Sequence, residues 1–165
     1  MKHIAVGLDT SGGVSARTIR DSLNVVMKQI SKYHDFELSA WCFDTCIYKT
    51  ETFNKNNIND ILNIQLRGGG GTMFECNWDH MKKNHITPDE FYLITDGYPC
   101  DTWGDPYYCK TIFVINDEYL IHNKYKTKAP FGKTVFVYGN NDNIFFKIKN
   151  HINNWFLNLF VLVID

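Results

Sequence analysis

Four short apolar runs, His3–Leu8, Phe91–Thr95, Thr111–Ile115 and Thr134–Tyr138, have no polar face of their own, and the first two end abruptly at Asp-Thr-Ser-Gly-Gly and Asp-Gly. Strands of this kind must be covered on both sides, which is the condition of an inner strand in a parallel sheet. Parallel neighbours need crossovers, and the intervening segments have helical periodicity. Ile19, Leu23, Val26, Met27 and Ile30 share one face behind a Ser15 N-cap. Asn57–Leu66 carries Ile58, Ile61, Leu62 and Leu66, and Thr72-Met73-Phe74-Glu75 has the form of a capping box before Trp78 and Met81. A final helix from Asp142 presents Ile144, Ile148, Ile152, Phe156 and Leu159. Phe36–Phe43 and Cys46–Phe53 read as a hairpin around Asp44-Thr45, the second strand polar enough for a sheet edge. The expected fold is α/β: a three-layer, doubly wound, mostly parallel six-stranded sheet with one antiparallel edge strand, Rossmann-like, in a single domain over residues 1–165.

Composition narrows the function. Seventeen Lys and Arg against eighteen Asp and Glu leave no net positive field to hold a polyanion, which argues against a general nucleic-acid binder. The apolar end, Trp155–Ile164, is too short for a membrane span and reads as a helix packed on the sheet or a second contact surface. The N-terminus meets Asp9 too soon for a secretory signal, and the five cysteines have no regular spacing. Both features point to a reduced, cytoplasmic setting. A bias toward Asn, Lys, Ile, Tyr and Phe suits an AT-rich phage or bacterial genome.

An open α/β sheet binds ligands at the carboxyl ends of its strands, where the strand order switches. Asp9-Thr10-Ser11 and Asp96 lie just past two such ends, and Thr72 follows the glycine run Gly68–Gly71. Two carboxylates and two hydroxyls form a hard oxygen donor set, suited to Mg2+ or Mn2+. The glycines bring backbone close to that position without obstruction.

Asp9-Thr10-Ser11-Gly12-Gly13-Val14-Ser15, Gly70-Gly71-Thr72 and Thr95-Asp96-Gly97 together resemble the three segments of the metal-ion-dependent adhesion site of von Willebrand factor A (VWA) domains. The surrounding phrases Phe43-Asp44-Thr45, Leu93-Ile94-Thr95-Asp96-Gly97-Tyr98 and Pro130-Phe131-Gly132 are similar to a bacterial and phage VWA-like subgroup related to the domain that follows putative metallopeptidase domains. The resemblance implies Asp9, Ser11, Thr72 and Asp96 as ligands of Mg2+ or Mn2+, with Gly13, Gly70, Gly71 and Gly97 shaping the site. It also implies a protein partner that contributes a carboxylate, and a MoxR-type AAA+ ATPase as the kind of protein such domains work beside. Gly13 stands where the family usually has a second serine, so one hydroxyl ligand is missing. No His-Glu-x-x-His occurs in the chain.

Two other function classes define the alternatives. Lys124, Lys126, Lys128 and Lys133, interleaved with Tyr125 and Phe131, form an RNA-binding candidate whose plainer reading is a solvated loop. A metal-dependent hydrolase would act through water activated at Asp9 and Asp96, but the sequence identifies no general base. Asp44, Asp101 and Asp105 read as turn formers. His80 and His85 with Cys76, Cys100 and Cys109 match no zinc spacing. The resemblance implies a non-catalytic protein-interaction module, with these two classes kept as alternatives.

Overall fold

The runs that the sequence marks as buried on both faces become the centre of one twisted sheet. The computed structural model describes residues 1–116, 128–138 and 160–164. In chain order the elements are β1 (Lys2–Asp9), α1 (Ala16–Ile30), β2 (Phe36–Phe43), β3 (Glu51–Asn54), a 3-10 helix (Ile58–Asn63), α2 (Glu75–Lys83), β4 (Glu90–Thr95), β5 (Thr111–Ile115), β6 (Lys133–Tyr138) and β7 (Phe160–Ile164). The strand order is β3-β2-β1-β4-β5-β6-β7. Pairing is parallel from β2 through β6, while β3 and β7 are antiparallel to their neighbours.

The expected six strands are therefore present as β1–β6, with β3 as the antiparallel edge. Phe160–Ile164 adds a seventh on the other edge, paired through Val135↔Val163 and Phe136↔Leu162. This part of the apolar end is thus extended rather than helical, as its β-branched composition favours. The helix expected from Asp142 through Leu159 lies outside the described residues.

Two cores flank the sheet, and period-two alternation assigns side chains to them. Ile4, Val6 and Leu8 pack with Leu38, Ile94 and Val114 against the α1 stripe of Ile19, Leu23, Val26 and Ile30. On the opposite face, Ala5, Trp41, Phe91, Leu93 and Phe113 meet Phe74 and the α2 residues Trp78 and Met81. The second core is largely aromatic, with Trp78 edge-on to Phe91 at 5.3 Å between centroids. α1 begins where the sequence places it, capped by Ser15 Oγ accepting from Thr18 N at 3.1 Å.

Three local expectations are corrected. The hairpin's second strand is Glu51–Asn54 rather than Cys46–Phe53, and Ile47 makes only an isolated bridge to Phe43. The Asp44 carboxylate accepts the N–H groups of Thr45 and Cys46, which bends the chain before it can extend. Asn57–Leu66 contains only a 3-10 helix, Ile58–Asn63, because the Asn54 and Asn57 side chains bond backbone N–H groups and its N-terminus has no side-chain cap. The capping box at Thr72 does not form: α2 starts at Glu75 and Asp101 supplies its cap.

Candidate functional site

β1 lies between β2 and β4, so the chain leaves β1 for one side of the sheet and later returns on the other. In open α/β sheets, ligands bind at such a reversal, here the carboxyl ends of β1 and β4. Asp9 and Thr95 end the two strands, and the Thr95 hydroxyl donates to Asp9 Oδ2 at 2.7 Å. Asp9 Oδ1 accepts from Ser11 N at 3.0 Å, which curls the first loop back over the strand end. Asp96 follows Thr95, half-buried, and its Oδ1 accepts from Tyr98 N at 3.3 Å. Gly97 turns the chain at φ +88°, a conformation other residues resist, while its N–H bonds Thr95 Oγ1 at 3.0 Å.

The glycine loop closes the arrangement. Gly69 N donates to Thr10 O at 2.9 Å and Gly12 N to Gly70 O at 3.0 Å. Only glycine can occupy position 68, since a Cβ there would lie 2.3 Å from Thr10 O. Thr72, buried, comes next, and its carbonyl accepts from Cys100 N at 2.8 Å. Each pair of segments is therefore tied directly: first to second through Gly12 and Gly70, second to third through Thr72 and Cys100, first to third through Asp9 and Thr95. Gly13 belongs to the same cluster, because a Cβ on it would stand 3.3 Å from Asp96 Oδ2. A Cβ on Gly71 would stand 3.6 Å from Thr45 Cγ2.

The charges are not equivalent. Burial pushes the Asp9 carboxyl above its ordinary range, against the hydrogen bonds from Ser11 and Thr95, and the negative charge of Asp44 adds to the rise. For Asp44, burial also acts upward but loses to the N–H groups of Gly70, Cys46 and Thr45 and the Tyr48 hydroxyl, which hold it below the usual carboxylate range. A fully buried, destabilised carboxylate beside a second carboxylate is an arrangement that a cation would relieve. The oxygens of Asp9, Ser11, Thr72 and Asp96 would suit a hard divalent ion, to which Gly13 would add none. Among the described residues, no three His, Cys, Asp or Glu side chains form a metal cage, so the hydroxyls would have to share the coordination.

Several residues have roles that the sequence did not suggest. Asp44 joins the hairpin turn to the glycine loop: its Oδ2 accepts from Gly70 N at 3.0 Å and Tyr48 Oη at 3.1 Å, and its carbonyl accepts from Met73 N at 2.9 Å. Asp101 caps α2, accepting from Phe74 N at 2.8 Å and Glu75 N at 3.0 Å. Asn116, buried after β5, reaches Thr95 O through its N–H and Thr18 O through its amide. A hydroxyl–imidazole pair also exists, Thr50 Oγ1 to His80 Nε2 at 2.9 Å, with Asn84 Nδ2 at 3.1 Å from His80 Nδ1. An amide nitrogen only donates, so Nδ1 accepts and Nε2 carries the proton, the wrong tautomer for taking a proton from Thr50. Of the lysines considered for RNA, Lys124 and Lys126 lie outside the described residues, and Lys133 starts β6, at the sheet end opposite the site.

No helix of the described residues is long and apolar enough to cross a membrane. In comparisons with known proteins, the family described as VWA-like domain (DUF2201) matches residues 4–137. Among solved structures, the chain is similar to an aerotolerance-related membrane protein from Bacteroides fragilis carrying multiple mutations to serines. The two share 10% identity over 70% of this chain and 67% of that one, with a TM-score of 0.48. No curated protein sequence matches.

Proposed function

The chain belongs to the VWA-like domain (DUF2201) family, and we propose that it is a non-catalytic protein-interaction module that holds its partner through a partly degenerate metal-ion-dependent adhesion site. Asp9 and Asp96 provide the charge for Mg2+ or Mn2+, and Ser11 and Thr72 provide hydroxyls directly or through water. The bound ion would supply a Lewis-acid centre able to accept a carboxylate from the partner. The chain's own part is positional: Thr95 orients the Asp9 carboxylate, and the Gly12–Gly70 and Thr72–Cys100 hydrogen bonds hold the three loops in register.

The observation that carries this reading is the fully buried Asp9, with its carboxyl raised by burial, at the switch point where all three segments are tied together. The bonds from Ser11 and Thr95 do not offset the burial of the Asp9 carboxylate, and a bound cation would. By family analogy, a MoxR-type AAA+ ATPase is the candidate partner class.

Calorimetric titration of Mg2+ and Mn2+ into the metal-free protein tests the proposal, with Asp9→Ala and Asp96→Ala as controls. Saturable binding that both substitutions abolish is the expected result. A folded protein that takes up neither ion at millimolar concentration overturns it.

A further inference from the structure

The short 3-10 helix Ile58–Asn63 leaves Met27, Tyr33 and Ile58 only partly buried against the core. Together with the buried Phe36 they form the apolar lining of a groove of about 480 Å³ beside the last two turns of α1. The groove is far from the carboxylates. Lys2 pairs with Phe36 at the amino ends of β1 and β2, and Asp9 pairs with Phe43 at the other ends, seven residues or roughly 20 Å along the strands. One wall is held in place: Tyr33 Oη donates to Glu90 Oε2 at 2.9 Å, and Lys2 Nζ sits 5.7 Å from the centroid of the Tyr33 ring.

The polar part of the lining has one sign of charge. Lys28 and Lys55 belong to it, and no Asp or Glu is among the described residues that line it, although Asp35, Glu37 and Asp60 are close in sequence. Neither lysine makes an ion pair, whereas Lys2, Lys49, Lys82 and Lys110 each have a carboxylate partner. Lys28 suits the C-terminal turn of α1, and Lys55 Nζ donates to His34 O at 3.2 Å. An ammonium has three donors, so both keep capacity for an anion. Glu90, which takes the Tyr33 hydroxyl, is itself paired with Lys110 at 2.6 Å. Asn24 and Asn59 add neutral amides to the lining.

We infer that this groove is a second binding site, for a small amphiphilic acid whose apolar body lies against Met27, Tyr33, Phe36 and Ile58 and whose carboxylate meets Lys28 and Lys55. The volume is that of a small-molecule site, and an apolar lining with a few polar groups of one sign is the usual composition of such sites. A protein partner fits less well, because nine residues line the groove and a stable interface takes roughly 20–30 a side. Met27 adapts to apolar bodies of different shape, since its side chain is flexible and polarisable. The site needs no metal and stands apart from the function proposed above.

The probes are decanoate and decylammonium, which share a tail and differ in charge, each titrated below its micelle-forming concentration into the full chain in EDTA. Decanoate is expected to bind saturably at one per chain and decylammonium not to bind. Amide shifts in nuclear magnetic resonance spectra should fall on residues 24–36 and 55–59. The double variant Lys28→Gln/Lys55→Gln should bind decanoate about tenfold or more weakly, at an unchanged melting temperature because both side chains are exposed. Met27→Trp, which fills the groove from the side of α1, should weaken binding in a protein that still melts cooperatively. Equal binding of the two probes, uptake of several decanoates per chain, shifts centred elsewhere, or unchanged affinity in the lysine variant each overturn the inference. Self-association of the wild type that Met27→Trp abolishes would assign the groove to a second copy of the chain and overturn it as well.

Discussion

A Cβ placed on Gly13 would stand 3.3 Å from Asp96 Oδ2, so the one residue that departs from the adhesion-site pattern faces the carboxylate whose ion it would help to hold. Gly13 is exposed and its φ is not positive, so a side chain fits after a shift of a few tenths of an ångström. Gly13→Ser returns a hydroxyl to that side of the site. Mg2+ affinity measured by calorimetry should rise by about tenfold, equivalent to about 1.4 kcal/mol. Unchanged affinity would mean that the loop does not direct residue 13 toward the ion.

Asp9 is expected to trade stability for binding. Burial raises its carboxyl, so the fold favours the neutral form. That contribution is fully present below the ordinary carboxyl value of 3.8 and is lost as pH rises through the raised one. At neutral pH the charged group therefore weighs against the fold. Asp9→Asn should raise the melting temperature of the metal-free protein, by about 1 kcal/mol in stability, and abolish the further rise that Mg2+ gives the wild type. Protons compete for the same carboxylate, so wild-type Mg2+ affinity should fall as pH is lowered through the raised range. Thermal denaturation with and without Mg2+, together with titrations at several pH values, checks all three effects.

What could be read from the sequence divides along the range of the interactions. β1, β4, β5 and α1 were legible because burial on both faces, or on one stripe, leaves a pattern within a few consecutive residues. Asp9, Ser11, Thr72 and Asp96 stand out in the sequence because each lies near a glycine-marked strand end or loop, and the structure joins the segments that carry them. The beginning of α2 was not: its cap comes from Asp101, 27 residues beyond Phe74. Nor was the role of Asp44, whose bond to Gly70 spans 26 residues. A carboxylate in a turn does not show in sequence what it reaches across the fold: Asp105 bonds Tyr107 N in its own turn and also pairs with Lys82 Nζ at 3.0 Å. β7 was missed because an apolar stretch such as Phe160–Ile164 fits a helix or a strand until its partner is known.

Asp101 takes the capping part that local sequence suggests for Thr72. A capping-box threonine would lower helix stability when replaced, but here Asp101 bonds both Phe74 N and Glu75 N. Thr72→Ala should therefore reduce Mg2+ affinity with little change in melting temperature. Asp101→Ala should cost about 1 kcal/mol of stability and leave Mg2+ affinity within about twofold. Parallel melting and calorimetric measurements on the two variants separate the roles.

Asp44 gives the opposite pH signature to Asp9. Its carboxyl is held below the ordinary range by Gly70, Cys46, Thr45 and Tyr48, so its contribution to stability is present above the ordinary value of 3.8 and disappears as pH falls through the lowered one. Asp44→Ala leaves the N–H groups of Gly70, Thr45 and Cys46 without their acceptor, which should cost about 1–3 kcal/mol at neutral pH. The gap between wild type and variant in denaturant titrations should narrow as pH is lowered into that range. The loss should also reach the metal. Gly70 O receives Gly12 N, and Asp44 O receives Met73 N, so freeing the glycine loop loosens both the first segment and the backbone next to Thr72. A folded Asp44→Ala variant should therefore bind Mg2+ several-fold more weakly, whereas Asp44→Asn, which keeps one acceptor oxygen for the turn, should recover part of both losses. Full Mg2+ affinity in the alanine variant would show that the three segments hold their register without this carboxylate.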